Sequence, residues 1–135
     1  MELNEFEGRH TGSLPCQDIF AKVLRELVRA VDGARGAIFL DGEGEAVQWY
    51  SVSDSERLRL RAAYLAVVVQ SYRASSAKLS LGKALSLVVQ YQAAQFVIEE
   101  IDGGYFLVLE LGPSANLAQC AGRLAPAVAT LRREI

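Results

Sequence analysis

The chain is poor in the residues that most often announce chemistry. Its 135 residues include one histidine, two cysteines and three prolines, with no excess of basic side chains. His10 lies in the polar stretch FEGRHTGS with no second metal-type nitrogen in the chain, so neither a histidine metal site nor a histidine-based triad is expected. Cys16 and Cys120 fall on apolar helix faces, where a lone pair in a reducing compartment reads as packing rather than a disulfide or ligand set. Scarce proline leaves little room for a linker, so residues 14–135 read as one domain behind a flexible segment at 1–13. Fourteen Lys and Arg against sixteen Asp and Glu give a net charge of −2. That balance cannot neutralise a phosphate backbone, so nucleic acid is not an expected partner. The longest apolar run, residues 62–69, is far short of the roughly 20 residues of a bilayer span. With no secretory leader pattern either, a soluble cytoplasmic protein without a membrane span is expected.

What is present is regular periodicity. Phe20, Val23, Leu24, Leu27, Val28 and Val31 share one helical face, with Ser13 as a possible cap, Pro15 in the first turn and Gly33 past the end. ARGAIFL and EAVQWYSV follow, rich in strand-favouring residues and separated by Asp41, Gly42, Glu43 and Gly44, the pattern of a hairpin. Ser53 and Glu56 have the spacing of a reciprocal N-terminal cap, which announces a second helix. Leu58, Ala62, Leu65, Val69 and Tyr72 then repeat at helical spacing, and the length of the segment overrides the strand preference of Val67, Val68 and Val69. Residues 83–91, 93–101 and 104–111 read as a three-strand meander, with a strong turn at Asp102, Gly103 and Gly104. From Ser114 a third helix carries Leu117, Ala121, Leu124, Val128 and Leu131, with a kink expected at Pro126.

The order α-β-β-α-β-β-β-α predicts an α/β (α+β) fold with a five-stranded antiparallel sheet. GAIFL and GYFLVLEL are apolar on both faces and belong mid-sheet, covered on each side. Five strands span about 24 Å and a helix covers about 10 Å, so helices one and three fill one face while helix two leaves part of the other bare. Helix two is apolar around most of its circumference at 62–69 and calls for a partner on its outer side. The same helix of a second copy supplies one, giving a two-fold homodimer. The apolar alternation of Leu85, Leu87 and Val89 gives a second reason, because an edge strand here would be protected by pairing with its twin.

VDGARGAIFLDGEGEAVQW between two helices, the DGG turn, YFLVLEL and the terminal SANLAQCAGRL together resemble the roadblock/dynein light chain family, from Leu14 onward. That resemblance implies a longin/profilin-like sheet, with two helices on one face and one on the other, dimerising through helix two and an edge strand. Prokaryotic members of the MglB type bind small Ras-like GTPases and regulate their nucleotide cycle, and eukaryotic members act as scaffolds.

The glycine-rich stretch LDGEGEA leads into a strand and carries Asp41, Glu43 and Glu45, which repel phosphate, so it reads as a turn rather than a phosphate cradle or calcium loop. Arg57, Arg59 and Arg61 stand at the start of helix two, either as a solvated face or reaching for an acidic partner or a GTP phosphate. Trp49 and Tyr50 are either an exposed anchor or core on one side. Ser13, Ser75 and Ser76 have no base to activate them, and no carboxylate pair stands on an apolar cleft, so no catalytic residues, metal or cofactor are expected. The expected function is a dimeric, non-catalytic regulator or adaptor of a small Ras-like GTPase. Its contact and dimer residues are Arg57, Leu58, Arg61, Ala62, Leu65, Val68 and Tyr72, with edge pairing through Leu85, Leu87 and Val89. A small-ligand sensor and a purely structural homodimeric scaffold are the alternatives.

Overall fold

The computed structural model describes residues 15–82, 84 and 86–135. The expectations placed on residues 1–13, on the Ser13 cap, on His10 and on Leu85 lie outside those residues. Three helices, α1 (Pro15–Ala30), α2 (Ser55–Ser76) and α3 (Leu117–Glu134), accompany five strands: β1 (Ala34–Leu40), β2 (Ala46–Ser51), β3 (Ser86–Gln90), β4 (Gln95–Ile101) and β5 (Tyr105–Leu111). The expected element order is present. The strands form one antiparallel sheet in the order β2-β1-β5-β4-β3, so the two doubly apolar strands β1 and β5 sit inside it.

Cross-strand register sorts the side chains into two layers. Trp49, Ile38, Val108, Ile98 and Leu87 form one row across all five strands and face α2. The neighbouring row, Tyr50, Ala37, Leu109, Val97 and Val88, points to the opposite side, where α1 and α3 lie. A strand's period of two fixes this partition. On the two-helix side Phe20 meets Phe39 with ring centroids 5.1 Å apart, and Phe39 stacks on Tyr105 at 5.2 Å. Leu24, Phe39, Leu107 and Leu131 are fully buried there, each stabilising the fold by about 2–3 kcal/mol.

Three local readings are corrected. The cap of α2 is Asp54, not Ser53: the Asp54 carboxylate accepts from the Arg57 amide at 3.1 Å, while the Ser53 amide donates to the Ser51 hydroxyl. A carboxylate also suits the positive end of the helix dipole better than a hydroxyl. The start of α3 is Leu117 rather than Ser114, because the Asn116 side chain accepts from the amides of Ala118 and Gln119. The strands of the meander are shorter than expected at their first ends, β3 beginning at Ser86 and β4 at Gln95. Helix α3 runs on through Pro126, which is exposed, as is Gly122, whose carbonyl has lost its usual donor.

Gln95 organises one end of the sheet. It is 3% exposed, its Nε2 lies 3.1–3.3 Å from the carbonyls of Gly112, Pro113 and Ala115, and its Oε1 accepts from Gln90. The β5–α3 loop is thereby tied to β4. Near by, Gly33 has φ +86 and a side chain there would begin 3.0 Å from the Ala115 Cβ, so glycine permits the close passage of α1's end beside the same loop.

Candidate functional site

Among the described residues α2 is the one helix on its face of the sheet, and two sets of contacts fix it there. Leu58, Ala62, Leu65, Ala66 and Val69 are buried and pack with Ile38, Leu40, Phe96, Ile98, Phe106 and Val108. Two ion pairs flank that seam. The Arg61 guanidinium reaches Glu110 on β5 at 2.6 Å, with Arg35 3.7 Å from the same carboxylate. Near the other end Arg73 pairs with Glu100 on β4 at 2.7 Å and lies over the Phe106 ring, 4.5 Å from its centroid. Both carboxylates are buried, so each arginine carries charge compensation for the sheet as well as attachment for the helix.

This placement divides the residues expected to meet a partner. Leu58, Ala62 and Leu65 are 2%, 0% and 4% exposed and face the sheet, so they are removed from the outer contact surface. Arg61 is turned inward onto Glu110. Arg57 is exposed beside its own cap, 4.0 Å from Asp54, and Val68 and Tyr72 remain on the outside. Arg59 is not free either, lying over the half-buried Trp49 ring 4.3 Å from its centroid. Tyr50 is also half-buried and packs with the two-helix core.

The outer face is broader than the sequence reading made it. Leu60, Tyr64, Val67, Val68 and Tyr72 are 44–69% exposed; the first three lie opposite the buried residues, and Val68 and Tyr72, three positions after Leu65 and Val69, extend this apolar surface along one flank. Tyr64 and Val67 were legible only as members of the apolar run 62–69, and Leu60, between Arg59 and Arg61, not at all. Which half of a uniformly apolar helix faces outward is decided by docking. Beside the stripe, toward the β3–β4 turn, a cavity of about 310 Å³ is lined by Tyr64, Leu65, Val68, Tyr91 and Phe96, with Arg61 at its rim. Tyr91 is 55% exposed and meets Phe96 edge-on at 6.0 Å.

Strand β3 is an edge of the sheet, and Leu87 and Val89 are half-buried toward α2. Its outer backbone groups have no neighbouring strand among the described residues. The glycine-rich hairpin is a self-contained turn. The Asp41 carboxylate accepts from the amides of Glu43 and Glu45 at 2.9 Å, so those donors are already occupied. Among the described residues no group of three or more His, Cys, Asp or Glu side chains could hold a metal ion, and no helix is long and apolar enough to cross a membrane. Cys120 is a buried free thiol, and burial, with Glu99 near by as the lesser cause, pushes its pKa up.

The sequence matches no protein-family model and no curated protein. Its fold does have solved counterparts. An MglB described with a tetrameric arrangement superposes with a TM-score of 0.81 at 21% identity, over 90% of this chain and 91% of that one. The gliding protein MglB of Thermus thermophilus gives 0.81 at 21% identity, covering 90% and 92%. A Roadblock/LC7 domain from Streptomyces avermitilis gives 0.76 at 18% identity, covering 84% and 94%. The chain therefore has the roadblock/LC7 fold of the MglB type, with three α-helices among the described residues around a five-stranded antiparallel sheet.

Proposed function

From the roadblock/LC7 fold as premise, we propose that this protein is a homodimeric, non-catalytic regulator or adaptor that binds a small Ras-like GTPase through the outer face of α2. One observation carries the reading: α2 satisfies its sheet-facing side completely and still exposes Leu60, Tyr64, Val67, Val68 and Tyr72. A contiguous apolar stripe of this kind marks a protein contact. The roadblock resemblance supplies the class of partner, and the absence of a nucleophile paired with a base among the described residues supports a role in positioning the GTPase's own machinery.

In the dimer, α2 packs beside α2 of the second copy and β3 pairs with its twin, which covers the apolar edge and joins two sheets into one. The end of α2 bearing Arg57, together with the Tyr64–Tyr91 cavity, then remains for the GTPase. Arg57 is the cation left to meet an acidic switch region. The cavity beneath Tyr64 also suits an apolar ligand, as a sensor would require. Its opening on the stripe itself favours its use as a receptacle for a partner's side chain.

The test is capture of a Ras-like GTPase from source-cell lysate by the purified protein, once with a non-hydrolysable GTP analogue and once with GDP. Enrichment with the analogue alone is the expected result, and Tyr64→Asp abolishes it. Equal capture in both nucleotide states leaves a scaffold without regulation, and no GTPase in either state overturns the reading. The dimer is tested separately: wild type sediments at twice 14.7 kDa at micromolar concentration, and Val68→Glu shifts it toward the monomer by stranding a charge in an apolar seam.

A further inference from the structure

A polar cavity of about 250 Å³ lies between the first turn of α2, the end of β2 and the neighbouring ends of β1 and β5. Its charged lining comes as two pairs of opposite sign, Arg35 with Glu110 and Arg57 with Asp54. Both pairs are loose. Arg35 Nη1 stands 3.7 Å from Glu110 Oε2, and Arg57 Nε 4.0 Å from Asp54 Oδ2, each beyond hydrogen-bond distance.

Glu110 has an unmet need for a donor. Its side chain is 7% exposed, and Oε2 accepts from Arg61, which is not part of the lining, while Oε1 has no hydrogen-bond partner among the described residues. A buried carboxylate oxygen without a donor is costly. Oε1 is not sealed in the core, however, and the cavity is the opening that Glu110 lines. Two other lining groups have the opposite need. The Ser51 hydroxyl accepts from the Ser53 amide but finds no acceptor for its own proton, and the Arg57 guanidinium, 60% exposed with the rest of its side chain, makes no hydrogen bond among the described residues.

We propose that this cavity binds a free α-amino acid with a short, uncharged polar side chain. The ammonium meets Glu110 Oε1 and Asp54, and the carboxylate meets Arg57, Arg35 and the Ser51 hydroxyl. Two opposite charges on one carbon suit lining charges that themselves stand 3.7 and 4.0 Å apart. A bare anion would face both carboxylates and a bare cation both arginines, so the lining selects against each. A charged side chain finds no spare partner, since the lining charges balance in pairs, whereas Ser53 can bond a hydroxyl or an amide. The cavity is smaller than the roughly 300–1,000 Å³ of drug-sized sites, which limits the ligand to a small molecule. The site needs neither the dimer nor the GTPase. A bound amino acid does occupy Arg57, the cation otherwise left for a partner.

The probes are L-serine, L-asparagine and L-glutamine, each titrated into the whole chain alone by isothermal calorimetry at up to about 10 mM. At least one is expected to saturate at one molecule per chain, with its analogues lacking the amine or the carboxylate binding about tenfold more weakly or worse. Arg57→Gln and Asp54→Asn each weaken binding by about tenfold; both side chains are exposed and asparagine still caps α2, so the fold is retained. Arg123→Gln, exposed on α3 on the other side of the sheet, is the control and leaves binding unchanged. Saturation by none of the three probes overturns the inference. So does equal binding of an analogue lacking either charge, displacement by millimolar inorganic phosphate, or unchanged affinity in both Arg57→Gln and Asp54→Asn. No GTPase is present in these titrations, so their failure and the failure of lysate capture are read separately.

Discussion

Replacing Arg61 by leucine separates two roles that its position on α2 would otherwise confuse. Its guanidinium lies 2.6 Å from Glu110, whose residue is 5% exposed, and the remaining cation near that carboxylate is Arg35 at 3.7 Å. Removing one member of a fully buried pair costs about 3–5 kcal/mol. Here the Arg61 side chain is 35% exposed and Arg35 retains part of the compensation, which brings the expected loss to about 1–2 kcal/mol. In urea, with a slope of about 1–3 kcal/mol per molar, that is a fall in midpoint of roughly 0.5–1 M. Protein concentration must be held fixed, since dimerisation contributes to apparent stability. Glu110→Gln in the Arg61→Leu background removes the stranded charge, so the two changes should couple by about 1 kcal/mol in a double-mutant cycle. A midpoint unmoved by Arg61→Leu would refute the fastening role and return Arg61 to the pool of partner-contact residues.

Three further outcomes test the local arguments. Asp54→Ala costs about 1 kcal/mol in chemical denaturation and Ser53→Ala nearly nothing; the reverse order would restore Ser53 as the cap. Gly36→Ala places a methyl 2.9 Å from Leu58 Cδ2 and 3.1 Å from the Tyr50 carbonyl oxygen, and lowers stability by about 1–3 kcal/mol; an unchanged midpoint would show that α2 does not dock so closely on β1. In a Cys16→Ser background, Cys120 reacts with maleimide far more slowly in the native protein than in urea. Since burial raises its pKa and the thiolate is the nucleophile, the native rate keeps rising with pH beyond the range where an exposed thiol levels off; a plateau at the ordinary thiol pKa would contradict its burial.

Much of the fold was legible because its signals are local. The doubly apolar runs GAIFL and GYFLVLEL correctly put β1 and β5 inside the sheet, covered on both faces. Turn chemistry located the β1–β2 hairpin and the Asp102–Gly104 turn. The cap of α2 was misplaced by one residue because Ser53 and Asp54 are both competent caps, and the choice depends on where the chain leaves β2. Gln95 gave no signal, since the three carbonyls it joins come from a loop distant in sequence.

The candidate surface was only half legible. Its location on α2 followed from an apolar run too long for one buried face. The identity of the exposed side did not, because Leu58 and Leu60, or Leu65 and Val68, are equivalent in hydrophobicity and differ only in which way the helix is rolled. That roll is set by Arg61 meeting Glu110 and Arg73 meeting Glu100, two pairs separated by 49 and 27 positions in the chain. Sequence by itself determined the element order and the interior place of β1 and β5, since these depend on residue type and spacing along one segment. Tertiary structure alone decided which arginines are spent inside and which apolar residues remain outside, because each depends on groups that only the folded sheet brings together.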